Sequence, residues 1–297
     1  MFNKLKVLLL RWFYRWVNRR AWRKVDMSAV STRDFELAGV VPVRQYRVEN
    51  AQRVIIYIHG GGWVIGDLES HDPFCRQLAQ KNQAMVIALD YRLAPEHRFP
   101  AAVEDCVAAT RWIIKHRAEL LQADSKVFLA GDSAGGNLAA VVANTLATEL
   151  PDQLAGQILI YPAVRHYTPP TASHIENGKG YGLTYGLMVW FWDNYLGEKR
   201  VTENGDIDRL ATPLTQPLPE GVAPALVLTA SLDPLRDEGA EYAQKLSGHG
   251  VDCSHQLYIG EMHGFVCSEG LTDAHQQAMD LISGWIQSLS GHSPASV

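Results

Sequence analysis

Val127-Phe128-Leu129-Ala130-Gly131-Asp132-Ser133-Ala134-Gly135-Gly136-Asn137 is the stretch on which the fold turns. Its apolar start reads as a buried strand, and Asn137-Leu138-Ala139-Ala140-Val141-Val142-Ala143 has strong helical character. Between the two, a serine stands between glycines in the pattern G-x-S-x-G. Strand, tight turn and helix form the setting in which that pattern makes a nucleophile elbow. The glycines let the backbone turn sharply and let neighbours pack close, so the serine oxygen stands clear of the fold. The start of the helix adds unpaired N–H groups and a partial positive charge beside it. The plain alternative is a glycine turn that happens to precede a helix. A nucleophile also needs a base, an orienting acid and an oxyanion site.

Outward from this point, strand-like runs alternate with helical patterns. The predicted strands are Val41–Val48, Val54–Ile58, Met85–Leu89, Val127–Ala130, Gln157–Tyr161, Ala225–Ala230 and Ser254–Ile259. The predicted helices are Pro73–Lys81, Ala101–His116, Gly136–Glu149, Arg236–Ser247 and Asp273–Leu289. This alternation predicts an α/β fold: a mostly parallel central sheet flanked by helices, with residues 1–297 as a single domain. One interval breaks the pattern. From about 163 to 221 no good strand appears, aromatic residues are frequent, and the stretch ends in proline-rich sequence. Such an insertion reads as a helical lid or cap, since roughly 55 residues make a marginal core of their own.

The formal net charge of -5 gives no reason to expect nucleic acid as a partner. Cys75, Cys106, Cys253 and Cys267 are scattered without C-x-x-C spacing. That argues against a zinc site or a disulfide scaffold and suits a reducing cytoplasm.

Residues 1–24 are unusual, with eight basic side chains and no acid. Their apolar run is too short for a signal-peptide core or a membrane span. Leu5, Leu8, Leu9, Trp12, Phe13, Trp16 and Val17 recur instead at helical steps. Two expectations follow: the helix packs over the active site of its own chain, or its stripe lies weakly on a membrane surface. Leu10, Tyr14 and Trp22 lie off the stripe.

Chain order in a strand–elbow–helix hydrolytic site is serine, then acid, then histidine. Asp233 occupies the loop after strand Ala225–Ala230, whereas Asp237 and Glu238 fall within the following helix. Asp233 also suits an N-cap ahead of Pro234, a role compatible with the first. Among the histidines beyond it, His249 is in a glycine turn, His255 in a strand, His275 on a helix and His292 in a polar tail. Only His263 sits in a loop directly after the last strand. His59-Gly60-Gly61-Gly62-Trp63 follows strand Val54–Ile58, and its bare N–H groups suit a developing oxyanion. A phosphate-cradling reading fails, because Ile65 stands where a third glycine is required and no G-K-S/T follows.

Together these motifs, with Asp90-Tyr91-Arg92-Leu93-Ala94-Pro95-Glu96-His97, Asp233-Pro234-Leu235-Arg236 and Met262-His263-Gly264-Phe265, resemble the hormone-sensitive-lipase-like carboxylesterases of the α/β-hydrolase superfamily. The resemblance implies a triad of Ser133, Asp233 and His263, with an oxyanion hole from the N–H groups of Gly61, Gly62 and Ala134. It makes His59 a structural support of the glycine loop, and implies a cap built from about 1–30 and about 163–221. The implied activity is serine-dependent hydrolysis of short- to medium-chain carboxylic esters, with no metal or other cofactor. Trp63, Leu183, Trp190 and Phe191 are candidate pocket residues, and a homodimer is an open partner reading. Two rivals share the fold: a ligand-binding receptor of the plant gibberellin type, against which His263 speaks, and an interfacial lipase docked through its basic N-terminus.

Overall fold

A computed structural model of the chain describes residues 2–23, 28–37, 39, 41–197, 208–268 and 270–290. The expected cap segments therefore include positions 1, 24–27 and 198–207, which lie outside the described residues, as does His292. In chain order the elements are α1 (Phe2–Trp22), β1 (Ser31–Leu37), β2 (Val41–Arg47), β3 (Arg53–Ile58), α2 (Leu68–Lys81) and β4 (Ala84–Leu89). Next come α3 (Ala101–Lys115), α4 (Arg117–Leu120), β5 (Lys126–Asp132), α5 (Ala134–Glu149) and β6 (Gly156–Ile160). The rest are α6 (Ala172–Glu176), α7 (Tyr185–Leu196), β7 (Ala225–Leu232), α8 (Arg236–Gly248), β8 (Cys253–Met262) and α9 (Asp273–Leu289).

The strands form one sheet in the order β1-β2-β4-β3-β5-β6-β7-β8. Pairing is antiparallel at β1–β2 and β2–β4 and parallel from there on. Strands β3 and β4 are buried along their whole length, which is why they read as unbroken apolar runs. Their alternate residues serve two cores. Val54, Ile56, Met85, Ile87 and Leu129 pack with Ile113, Leu138 and Leu246 of α3, α5 and α8. Ile55, Tyr57, Val86, Phe128 and Ile158 pack with Phe74, Leu78, Ile282 and Ile286 of α2 and α9. Each strand thus needs apolar side chains at every position, and the sequence supplies them.

All seven predicted strands form. The one missed is β1, Ser31-Thr32-Arg33-Asp34-Phe35-Glu36-Leu37, an edge strand exposed along most of its length. Charged residues on an edge discourage further pairing and also erase the apolar signal. Helix α2 starts five residues before the predicted Pro73. A reciprocal bond pattern between Asp67 and Ser70 caps it, and Pro73 sits inside the helix.

Helix α1 forms, but with the opposite face inward from the one its apolar stripe suggests. Val7, Asn18 and Trp22 are buried and Leu10, Arg11, Tyr14 and Val17 half-buried. Leu5, Leu8, Leu9, Trp12, Phe13 and Trp16 point outward. Polar anchoring explains the choice. Arg11 Nε donates to the Val64 carbonyl (2.8 Å), and its Nη2 donates to the Ala94 carbonyl (3.0 Å) and to Glu96 (2.8 Å). Arg15 pairs with Asp67 at the start of α2, and Trp22 Nε1 donates to the Cys267 carbonyl (3.2 Å).

The 163–221 insertion carries α6 and α7, each started by a threonine whose hydroxyl caps the first turn. Asn137 in the first turn of α5 ties the start and a later part of the insertion to the elbow, donating to the carbonyls of Ala163 (2.7 Å) and Ala211 (2.9 Å).

Candidate active site

Ser133 lies between β5 and α5 at φ 54 and ψ -118, a backbone conformation that L residues rarely adopt. Its neighbours over-determine it. The Ser133 N–H donates to Ile160 O (2.8 Å), and its carbonyl accepts from Asn137 (3.0 Å) and Ala163 (3.2 Å). A methyl group on Gly131 would collide with the Gly135 carbonyl, and one on Gly135 with the Ile58 carbonyl. The glycines on either side of the serine are therefore demanded by the close approach of β3, β5 and α5.

Parallel strands bring their carboxyl ends to one edge, where α/β sheets assemble their sites. The end of β7 delivers Asp233 and the end of β8 delivers His263 to the serine. His263 Nε2 lies 2.9 Å from Ser133 Oγ, and its Nδ1 lies 2.7 Å from Asp233 Oδ2. Asp233 is fully buried; its second oxygen accepts the Leu235 N–H (2.8 Å), so it also caps the turn into α8. Burial pulls the His263 pKa down, but the Asp233 charge and hydrogen bond, aided by Asp132 and Glu238, overcome this and hold it above its ordinary value. The Tyr161 ring packs against the imidazole at 4.7 Å.

The competing acids and histidines are engaged elsewhere. Asp237 binds Arg236 (2.8 Å) and accepts the Ser173 N–H (2.7 Å). Glu238 accepts the Val164 N–H (2.8 Å) and faces His174 (3.1 Å) in a closed interior. His255 meets the Thr229 hydroxyl (2.8 Å), and His275 meets the Val266 carbonyl (2.7 Å).

The glycine loop follows β3. Gly61, Gly62 and Trp63 have φ 113, 59 and 58, and the Gly61 carbonyl accepts the N–H groups of Val64 (3.1 Å) and Ile65 (2.9 Å). Gly61 and Gly62 line the same cavity as Ser133 and Ala134. His59 stacks on Tyr91 with ring centroids 4.4 Å apart, and its Nδ1–H donates to the Gly60 carbonyl (2.8 Å). The Tyr91 hydroxyl donates to the His59 carbonyl (2.8 Å). Burial, then the neighbouring His71, push the His59 pKa down to about 4, so it is a neutral support at neutral pH.

Asp132, the residue before the serine, carries a structural role that its motif does not reveal. Its Oδ1 accepts the Gly60 N–H (2.8 Å) and the Tyr57 hydroxyl (2.5 Å). Burial would raise its pKa, yet His71, Tyr57 and Gly60 together hold it below the usual carboxylate value. Its position beside Ser133 was the available signal.

A cavity of about 250 Å³ opens onto Ser133 and His263. Trp63, Leu183 and Phe191 line it as expected. Trp190 does not: it meets Phe191 edge-on at 5.3 Å and carries Lys6 over its ring at 5.1 Å. Leu187, Met188 and Trp192 line it with Phe191, on the arc of α7 built from the i, i+4 pairs Leu187–Phe191 and Met188–Trp192. Most of the Trp63 ring is consumed by packing on Tyr195 (4.2 Å) and Trp192 (4.4 Å). Tyr14 of α1, off the apolar stripe, is an unpredicted wall residue.

Fold and site together define an α/β-hydrolase with a serine, histidine and aspartate in hydrogen-bonded series. A family model described as the alpha/beta hydrolase fold matches residues 55–267, and the chain belongs to that family, among its carboxylic ester hydrolases. It is 40% identical over 240 residues to the carboxylic ester hydrolase LipN of Mycobacterium tuberculosis, covering 77% of this chain and 62% of that protein. It is 35% identical over 277 residues to the ethyl acetate hydrolase of Pseudomonas putida, covering 90% and 82%. Among solved structures, the esterase of Pyrobaculum calidifontis superposes with a TM-score of 0.87 at 36% identity, covering 96% of this chain and 94% of that one. The metagenomic carboxylesterase EstE1 superposes with a TM-score of 0.86 at 38% identity, covering 95% and 97%.

Proposed function

We propose that the chain hydrolyses uncharged carboxylic esters with short to medium acyl chains through an acyl-enzyme on Ser133. The observation that carries this is the series Ser133–His263–Asp233, at 2.9 and 2.7 Å, facing a small apolar cavity. Ser133 Oγ attacks the ester carbonyl while His263 Nε2 takes its proton, and the oxyanion is received by the N–H groups of Gly61, Gly62 and Ala134. His263 then protonates the departing alcohol. A water, deprotonated by the same nitrogen, attacks the acyl-enzyme and frees the acid. Asp233 holds the imidazole in the correct tautomer and stabilises its protonated form. The chemistry requires no metal or organic cofactor.

Several observations support the finer reading. The cavity volume lies below the usual range for drug-sized ligands, which favours a short acyl group. The name of the Pseudomonas putida relative points to the same size of substrate. Helix α1 and the insertion carrying α6 and α7 together act as the cap, with Tyr14, Leu187 and Phe191 as its walls. Four free thiols suit a cytoplasmic setting, and no helix among the described residues is long and apolar enough to cross a membrane. A fluorophosphonate should label Ser133 alone, and a chain-length series of chromogenic esters should give its highest kcat/KM at short to medium acyl chains. Labelling at another residue, or a preference for long chains, overturns the proposal.

A further inference from the structure

Six of the nine exposed large apolar side chains among the described residues stand on one helix. Leu5, Leu8, Leu9, Trp12, Phe13 and Trp16 of α1 are each 46% or more exposed and fall at steps of three and four on a single face. They run for about 16 Å along the axis. A scattered exposed leucine needs no explanation, but a contiguous stripe with two tryptophans marks an interaction surface.

The opposite face shows that α1 is held in this orientation. Arg11 is fixed to Val64, Ala94 and Glu96, Arg15 to Asp67, and Trp22 is buried. Burying the stripe against the protein would break these contacts. The cations that remain border it. Lys6 is exposed along one flank, Arg20 lies over the Trp16 ring (5.4 Å), and Arg23 is exposed just beyond the end of the helix. No acidic residue occurs in 1–24, although the whole chain has a net charge of -5. The positive charge is therefore concentrated around the stripe and complements an anionic surface.

We propose that α1 docks the enzyme on an anionic lipid surface, with Trp12, Phe13 and Trp16 seated at the boundary between headgroups and acyl chains. An amphipathic helix with tryptophan on its apolar face and lysine and arginine around it lies in such an interface. This helix also presents Tyr14 to the cavity above Ser133. Docking therefore brings the acyl cavity to a place where esters partition out of water. The binding step does not depend on the esterase reading, because it uses none of the triad.

The test is flotation of the full chain with phosphatidylcholine vesicles, made with and without phosphatidylserine. Wild type and Ser133→Ala should float with the anionic vesicles alone, less so as salt rises. Trp12→Ser/Trp16→Ser should weaken that binding about tenfold or more while hydrolysing a water-soluble short-chain ester at the wild-type rate. Equal flotation of the double variant, or equal binding to neutral vesicles, overturns the proposal. So does a wild type that stays with neither vesicle and sediments as a dimer that the double variant dissociates, since a second copy then covers the stripe. Absence of ester hydrolysis in a wild type that floats would overturn the esterase reading and leave docking standing.

Discussion

The Asp132 carboxylate accepts the Gly60 N–H at 2.8 Å, joining the residue before the serine to the glycine loop that follows β3. The hydrogen bond spans 72 positions of sequence and crosses from β5 to β3. It ties the position of Ser133 to that of the loop carrying Gly61 and Gly62, whose N–H groups are the proposed oxyanion donors and would both have to reach one reacting carbonyl.

Asp132→Ala should therefore lower kcat more than it raises KM, by roughly 10- to 100-fold, less than loss of an oxyanion donor outright. It should also cost about 2–4 kcal/mol of stability, because two buried donors, Gly60 N–H and Tyr57 O–H, lose their acceptor. Asp132→Asn keeps one carbonyl oxygen and should restore much of both. Steady-state kinetics with urea melts of the two variants checks this, and an Asp132→Ala enzyme with normal kcat contradicts it.

The acid limb of the pH profile follows from His263. The free base accepts the serine proton, and a raised pKa means protonation begins at a higher pH than for an ordinary imidazole. The limb of kcat/KM should therefore lie above about pH 6.5, with activity lost as pH falls through it. Asp233→Asn removes the charge responsible, so the limb should move down while kcat drops roughly 10⁴-fold. Asp237→Asn should leave the limb in place.

Gly61 and Gly62 should respond differently to the same added methyl. At Gly61 it would meet the Ile65 carbonyl, which cannot move, and at Gly62 it would meet the Phe191 ring, which can. Both single substitutions to alanine should cost on the order of 10²-fold in kcat. Phe191→Ala should recover part of the loss in Gly62→Ala and none in Gly61→Ala, read as a double-mutant cycle.

Tyr14 separates the two faces of α1. Tyr14→Ala should shift the acyl-chain optimum to longer esters and cost about 1–3 kcal/mol, less than a fully buried aromatic. Removing residues 1–24 should do the same and lower Tm further, with Ser133 still labelled by a fluorophosphonate. An unchanged chain-length profile in both proteins would remove α1 from the pocket.

What the sequence made legible was decided by burial. Central strands such as β3 and β4 carry apolar residues on both faces and are readable at once, and motifs at the carboxyl ends of β3, β5 and β8 name the glycine loop, Ser133 and His263. Asp233 is readable because chain order and loop position together exclude Asp237 and Glu238. Strand β1 was not, since an exposed edge has no apolar alternation. The inward face of α1 was not legible, because Arg11 and Arg15 find Val64, Ala94, Glu96 and Asp67 across long sequence distances, and those polar contacts outvote the apolar count. Trp190 was misassigned for a related reason: its cluster is apolar all round, so periodicity does not say which side meets the cavity.

The bond from Trp22 to the Cys267 carbonyl ties the end of α1 to the turn that follows His263. One helix thus touches the cavity wall through Tyr14 and the turn that carries His263 through Trp22. If α1 frays on mild heating before the sheet gives way, the damage should be felt at both places in one local unfolding event. Selectivity and turnover would then decline together along the same temperature curve, ahead of the global melt.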